Sequence, residues 1–118
     1  MGGAARRTMA RMQRPAVVLL LAAAVLPGAA RADEAADTQA LLKLKGCPSC
    51  HQASTRNVGP SFADIAARYR ADPRAAATLA ASIRGGSAGK WGGTAQMPAF
   101  AGLSEAQVEA MADWILGR

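Results

Sequence analysis

Both cysteines of this 118-residue chain and its only histidine stand within five positions, in the run Cys47-Pro48-Ser49-Cys50-His51. Two thiols so close together, with an imidazole directly behind them, can serve four chemistries. They can form a structural disulfide, a redox-active dithiol, part of a zinc site, or the attachment point of a haem. Each chemistry requires different surroundings, so the rest of the sequence has to decide among them.

The first 32 residues have the pattern of a secretory signal peptide. Basic residues without acidic ones occupy positions 1–14, and an apolar run follows from Ala16 to Leu26. Pro27-Gly28 then breaks the run, and small residues end it at Ala32. The eleven apolar residues are fewer than the roughly 20 that a membrane-spanning helix needs. We therefore expect cleavage after Ala32, a periplasmic domain over residues 33–118, and no stable membrane insertion after cleavage.

Removal of this segment would change the charge of the protein. The whole chain has 14 Lys and Arg against 8 Asp and Glu, but five of the basic residues and none of the acidic ones lie in residues 1–32. The remaining nine basic and eight acidic side chains give a net charge of +1. Because that balance is almost neutral, the charge gives no support to a nucleic-acid partner.

Four helices are predicted in residues 33–118 from apolar spacing and capping residues. They cover about Ala35–Lys45, Ser61–Arg70, a segment that starts with Asp72 as N-cap and stops at Gly85, and Ser104–Leu116. No strand-like alternation of any length is present, so the predicted fold class is all-α. Two long loops remain, residues 51–60 and 85–102, and loops of this length in a small domain are usually functional.

The surroundings favour a haem over the other three chemistries. A disulfide between positions 47 and 50 would close a very small loop, a thioredoxin-like dithiol belongs in a βαβ unit, and structural zinc usually takes four ligands. C-x-x-C-H is the pattern of haem attachment, in which His51 becomes an iron ligand. The domain also has few aromatic residues and much alanine, so a prosthetic group is expected to fill its middle.

A second iron ligand is expected from a methionine, because the chain has no other histidine. Residues 33–118 hold two methionines. Met111 falls on the apolar face of the last predicted helix, where a core role is the default. Met97 lies in the glycine-rich loop before Pro98, and the thioether of a loop methionine suits haem iron. Met97 is therefore the predicted ligand.

With these residues, the chain from about Asp33 onward resembles a short bacterial class I c-type cytochrome with one haem. The segments that carry the resemblance are "LLKLKGCPSCHQ", "NVGPSFADIAARYR", "IRGGSAGKWG", "MPAF" and "LSEAQVEAMADWIL". The resemblance implies four to five short helices wrapped around one covalently bound haem. The chain departs from the family pattern in two respects. Close relatives often read "MPP" followed by Asn where this chain has "MPAF", with Phe100, and the stretch between Trp91 and Met97 is about one residue longer.

The resemblance also implies a role for each site residue. Cys47 and Cys50 would form the thioether bonds to the haem, and His51 and Met97 would bind the iron. The Pro60 carbonyl would accept a hydrogen bond from the histidine ring, and the Trp91 indole would donate one to a haem propionate. No catalytic residue is expected, because both axial positions of the iron would be filled.

The function implied is one-electron transfer in a respiratory chain, between redox proteins such as a quinol-oxidising complex and a terminal oxidase or reductase. One alternative is a haem subunit dedicated to a periplasmic dehydrogenase, such as one that oxidises a sulfur compound. Another is a haem sensor whose methionine ligand can be displaced. Several basic residues lie near the two loops and predict an acidic docking partner: Lys43, Lys45, Arg56, Arg84 and Lys90.

Overall fold

Helices account for most of the regular structure in the computed structural model, which describes residues 1–3 and 27–118. The basic and apolar parts of the predicted signal peptide fall on residues 4–26 and lie outside the described residues. The helices are α1 (Pro27–Leu44), α2 (Phe62–Tyr69), α3 (Ala75–Gly85) and α4 (Glu105–Leu116), and a single 3-10 turn covers Cys47–Ser49.

Two very short strands lie in the glycine-rich region, where no strand was expected. β1 (Ser87–Ala88) pairs with β2 (Gln96–Met97) in antiparallel register, so that Ser87 lies opposite Met97. Strands of two residues are too short to show alternation in a sequence, which is why the pattern missed them. All other regular elements of the described residues are helices, in agreement with the all-α prediction.

Helix α1 begins at Pro27, eight positions before the predicted start at Ala35. The alanine-rich sequence of this segment favours a helix, and a proline is compatible with the first helical position. Residues 31–37 are exposed, and the first buried side chain of α1 is Thr38. The part of α1 that packs against the protein therefore lies beyond Ala32, and the expected cleavage there would remove none of the described core.

The predicted N-termini of α2 and α4 are confirmed at both capping serines. The Ser61 hydroxyl accepts a hydrogen bond from the Asp64 backbone N–H at 3.0 Å. The Ser104 hydroxyl accepts one from the Gln107 N–H at 3.2 Å, and the Gln107 side chain accepts one from the Ser104 N–H at 3.0 Å. The second arrangement is a complete capping box, which stabilises the start of α4.

The predicted start of α3 was wrong by about two residues. The Asp72 carboxylate accepts a hydrogen bond from the Arg74 N–H at 2.8 Å, and its carbonyl accepts one from the Ala75 N–H at 3.1 Å. This local turn satisfies the backbone before the helix begins at Ala75. As a result Ala75 is buried and Ala76 is exposed. The predicted end is confirmed, because α3 stops at Gly85.

Helix α4 forms the centre of the packing and contacts α1, α2 and α3. Its buried face carries Val108, Met111, Ala112 and Ile115, the apolar stripe expected from the sequence. The largest buried neighbours from the other elements are Leu42, Phe62, Ile65, Leu79, Ile83 and Leu103. No helix among the described residues has both the length and the apolar character needed to cross a membrane.

Candidate functional site

All six residues singled out from the sequence line one cavity of about 430 Å³. They are Cys47, Cys50, His51, Pro60, Trp91 and Met97. The rest of the lining is mainly apolar and comes from every α-helix and from both strands. The volume falls in the range of roughly 300–1,000 Å³ that is common for ligand and cofactor sites.

The two cysteines flank the 3-10 turn that follows α1. Gly46 precedes the turn with a φ of 76°, a left-handed conformation that glycine adopts without strain and that redirects the chain after the helix. Both thiols are free and half-buried. Burial raises the pKa of the Cys47 thiol above its ordinary value, because an apolar setting disfavours the thiolate. The turn therefore presents both thiols to a mainly apolar space.

The His51 ring is held on two sides. Its Nδ1–H donates a hydrogen bond to the Pro60 carbonyl at 2.7 Å, the contact that the resemblance implies. With the proton on Nδ1, the Nε2 atom of the neutral ring keeps a free lone pair. The ring also stacks on Phe62, with centroids 5.7 Å apart. Phe62 in turn meets the edge of Trp114 from α4 at 5.4 Å, so the core of the protein supports the histidine.

Gly59 is a site residue that the sequence reasoning missed. A Cβ atom built on Gly59 would lie 2.7 Å from His51 Cε1 and 3.0 Å from Nδ1. Any side chain at this position would therefore push the imidazole ring away. The only signal in the sequence is a glycine directly before Pro60, which is just as common in turns.

Met97 lies on β2 and is half-buried, while Met111 lies on α4 and is 1% exposed. Both methionines line the cavity. The backbone of Gly86 lies directly against β2, because a Cβ atom built there would lie 2.8 Å from the Met97 carbonyl oxygen. Gly86 is thus a second glycine whose missing side chain makes room for a predicted iron ligand.

Trp91 lies in the loop between β1 and β2 and is half-buried. Its carbonyl accepts a hydrogen bond from Arg56 Nη2 at 2.9 Å. The guanidinium carbon of Arg68 lies 4.3 Å from the centroid of the indole. These contacts of Arg56 and Arg68 could not be predicted from the sequence, because they span 35 and 23 positions and leave no local pattern.

The charged lining of the cavity has one sign. Lys45, Arg56 and Lys90 line it, and no carboxylate is present among the described lining residues. Of the other basic residues expected near the loops, Arg84 pairs with Glu105 at 3.2 Å instead. Three cations at an otherwise apolar cavity suit a ligand with an apolar body and acidic groups.

The donor set and the lining together fit a haem c. Two free thiols lie three positions apart, an imidazole binds the Pro60 carbonyl through Nδ1 and so leaves Nε2 for a metal, and a thioether reaches the same cavity. The cations match the two propionates of a haem, and the porphyrin would fill the volume that the side chains leave open.

Comparisons with known proteins agree with this chemistry. A family model described as cytochrome c matches residues 35–118. Cytochrome c-552 of Nitrosomonas europaea is 47% identical over 76 residues, which cover 64% of this chain and 73% of the relative. Cytochrome c-551 of Pseudomonas aeruginosa is 39% identical over 84 residues, which cover 71% of this chain and 79% of the relative.

A solved structure has a similar fold. The crystal structure of wild-type cytochrome c552 from Nitrosomonas europaea superposes with a TM-score of 0.62 at 45% identity. The superposition covers 70% of this chain and 96% of the solved one. The similarity therefore extends over nearly the whole of that solved chain.

Proposed function

The chain belongs to the cytochrome c family, and from this membership we propose a periplasmic one-electron carrier of a respiratory chain with His51 and Met97 as iron ligands. Cytochromes c hold one covalently bound haem c and transfer electrons instead of catalysing a reaction. The observation that carries the finer proposal is the convergence of two thiols, one imidazole and one thioether on a single apolar cavity.

Cys47 and Cys50 are the proposed attachment points. Each thiol would add across one vinyl group, with the sulfur bonding to one vinyl carbon and the hydrogen going to the other. The 3-10 turn holds both sulfur atoms at the cavity. Burial raises the pKa of the Cys47 thiol and so lowers the share of the reactive thiolate form.

His51 is proposed as one axial ligand through Nε2. The hydrogen bond from Nδ1–H to Pro60 fixes the tautomer and the orientation of the ring, as second-shell partners of metal-bound histidines do. Phe62 and Gly59 restrict the ring from other directions. The ligand is therefore oriented by the protein before any iron is bound.

Met97 is proposed as the other axial ligand. It is carried by a short ribbon next to a glycine-rich loop, and a loop methionine can adjust to the iron more easily than a helical one. Met111 is fully buried on α4 and packs in the hydrophobic core, which accounts for its place at the cavity. His/Met ligation raises the reduction potential of a haem, as suits an electron carrier late in a respiratory chain.

When bound, the haem supplies an iron that cycles between Fe(III) and Fe(II). His51 and Met97 would hold the iron and the mainly apolar lining would exclude water, so that little would have to rearrange when one electron enters or leaves. Redox proteins are the partners of such a carrier. The basic residues Lys45, Arg56 and Lys90 beside the half-exposed Val58 favour an acidic docking partner and a short-lived encounter.

The proposed ligand set is tested by comparing Met97→Ala with Met111→Ala in the oxidised protein. Met97→Ala should abolish the red charge-transfer band of the iron–sulfur bond, while Met111→Ala should keep the band and lose stability. A pyridine haemochrome spectrum of both variants should still show covalent haem c. Retention of the band in Met97→Ala would exclude Met97 as the ligand, and its loss in Met111→Ala alone would assign Met111.

A further inference from the structure

We infer that Arg56 and Arg68 act as positioning residues that clamp the β1–β2 loop and so keep Met97 in place. Each arginine binds a backbone carbonyl of this loop, and the two come from different parts of the chain. We call this pair the two-arginine clamp. The inference rests on the proposed role of Met97 as an iron ligand and goes beyond it by naming what retains that ligand.

The loop needs an external restraint because its own structure is weak. Gly89, Gly92 and Gly93 all have φ values near 75°, and a glycine-rich loop loses much conformational entropy when it is ordered. The ribbon that closes it has only two residues in each strand, a length that gives little independent stability. Met97 is therefore attached to a segment that would open readily on its own.

Arg68 restrains the loop from helix α2. Its Nη1 donates a hydrogen bond of 2.7 Å to the Lys90 carbonyl, and its guanidinium stacks on the Trp91 ring at 4.3 Å. It also lies 5.8 Å from the centroid of Tyr69. A charge-assisted hydrogen bond and a stacked guanidinium are both stronger than ordinary surface contacts. One helical side chain thus binds two successive residues of the loop.

Arg56 restrains the same loop from the segment that carries the histidine. Its Nη2 donates to the Trp91 carbonyl at 2.9 Å, and its backbone forms an isolated antiparallel bridge with His51. Arg56 therefore connects the segment of one proposed iron ligand to the loop beside the other. The loop is also bound to α3, because Lys90 Nζ donates a hydrogen bond of 2.9 Å to Ser82 Oγ.

We expect the two-arginine clamp to slow the release of Met97 from the iron. Carbon monoxide is a direct probe, because it binds the reduced iron only after the methionine has left. Loss of one charge-assisted hydrogen bond should make the open state about tenfold more populated. We expect Arg68→Gln to raise the rate of carbon monoxide binding by about that factor, and Arg56→Gln to raise it by a smaller one.

Arg70→Gln is the matched control, because it removes an exposed arginine at the end of the same helix. Its carbon monoxide rate should stay within about twofold of the wild-type rate. Equal rates for Arg68→Gln and Arg70→Gln would overturn the clamp. Arg56→Gln provides an independent arm if Arg68→Gln does not fold, and a wild-type rate in that variant would overturn the inference equally.

The proposed function is checked in the same series. If Met97→Ala keeps the charge-transfer band, the ligand assignment fails, whatever the arginine variants do. If Met97→Ala loses the band and binds carbon monoxide without delay, the ligand assignment stands. The difference between Arg68→Gln and Arg70→Gln then decides the clamp alone.

Discussion

His51 is oriented by residues that have no reactive group of their own. Pro60 accepts a hydrogen bond through its carbonyl oxygen, Phe62 stacks on the ring, and Gly59 leaves space for the ring because it has no side chain. Each acts on the ring at contact distance, so a change of one methyl group at any of them reaches the proposed iron ligand. The chemistry of this site therefore depends on steric exclusion as much as on donor atoms.

Gly59→Ala should disturb the histidine strongly. The new methyl group would lie 2.7 Å from His51 Cε1, well inside van der Waals contact, so the ring or the 51–60 loop has to move. We expect a loss of about 1–3 kcal/mol in the free energy of unfolding, as is typical of overpacked sites. We also expect a changed reduction potential. Chemical denaturation and redox titration of the holoprotein measure the two effects.

Gly102→Ala is the control for this substitution. A Cβ atom at Gly102 would meet nothing within 4 Å, and the residue is exposed. Its unfolding free energy and potential should stay close to those of the wild type. Identical values for the Gly59 and Gly102 variants would contradict the view that Gly59 makes room for the ring.

At the level of elements, the β1–β2 ribbon decides where Met97 lies. The ribbon is placed by Gly86, which leaves α3 with a φ of 80° and packs its Cα against the Met97 carbonyl. Helix α3 is itself fixed by its packing against α4. The core thus fixes the position of the proposed ligand through one glycine with a positive φ.

Gly86→Ala should displace Met97. An alanine at the φ of 80° and ψ of 173° found here costs about 1–3 kcal/mol, and its methyl group would also lie 2.8 Å from the Met97 carbonyl oxygen. We expect a weaker iron–sulfur charge-transfer band and a lower unfolding midpoint. Absorbance at increasing temperature records both in one experiment.

Substitution of the neighbouring residue, Gly85→Ala, should not lower the unfolding midpoint. Gly85 is the last residue of α3, a Cβ atom there has open space, and alanine favours a helix. This variant should keep the full band and unfold at the same temperature as the wild type or slightly higher. A loss of the band in both variants would show that the effect comes from α3 and not from contact with Met97.

The elements that sequence predicted well are those specified by neighbouring residues. The serines at positions 61 and 104 and their partners three residues later fix the starts of α2 and α4 through local hydrogen bonds. The start of α3 was misplaced because a local turn at Asp72 competed with the helix. The ribbon and the two-arginine clamp depend on contacts between distant segments, so no short pattern could predict them.

On the scale of the whole molecule, the cavity accounts for the small number of large side chains. Leucine, isoleucine and aromatic residues line a space of about 430 Å³ that they do not fill. The sequence predicted this shortage of core volume and the six residues that line the space. It could not predict how the chain surrounds the space, because that depends on how the helices cross.

A chain without its attachment cysteines should fail to form a cooperative fold. At roughly 24 cal/mol per Å³, an unfilled cavity of this volume costs at most about 10 kcal/mol. That limit is comparable to the whole stability of a small protein. We expect Cys47→Ser combined with Cys50→Ser to give a broad thermal transition and reduced helical signal in circular dichroism.

The control for this double variant is the holoprotein with Ser54→Ala, a substitution at an exposed position. It keeps both cysteines and changes one serine in the loop after His51. It should unfold in a sharp transition like the wild type. A sharp transition with full helical signal in the double cysteine variant would contradict the idea that the haem completes the core.

The restraints on the glycine-rich loop also bear on how this protein can vary in length. Lys90 and Trp91 are held by the clamp at one end, and the pairing of Ser87 with Met97 fixes the register at the other. Residues 92–95 lie between these anchors, are exposed, and include two glycines. An insertion or deletion there can be absorbed as a longer or shorter bulge, so homologous chains can differ in length at this point without moving the ligand. The extra residue that the resemblance predicts between Trp91 and Met97 would fall in the same interval.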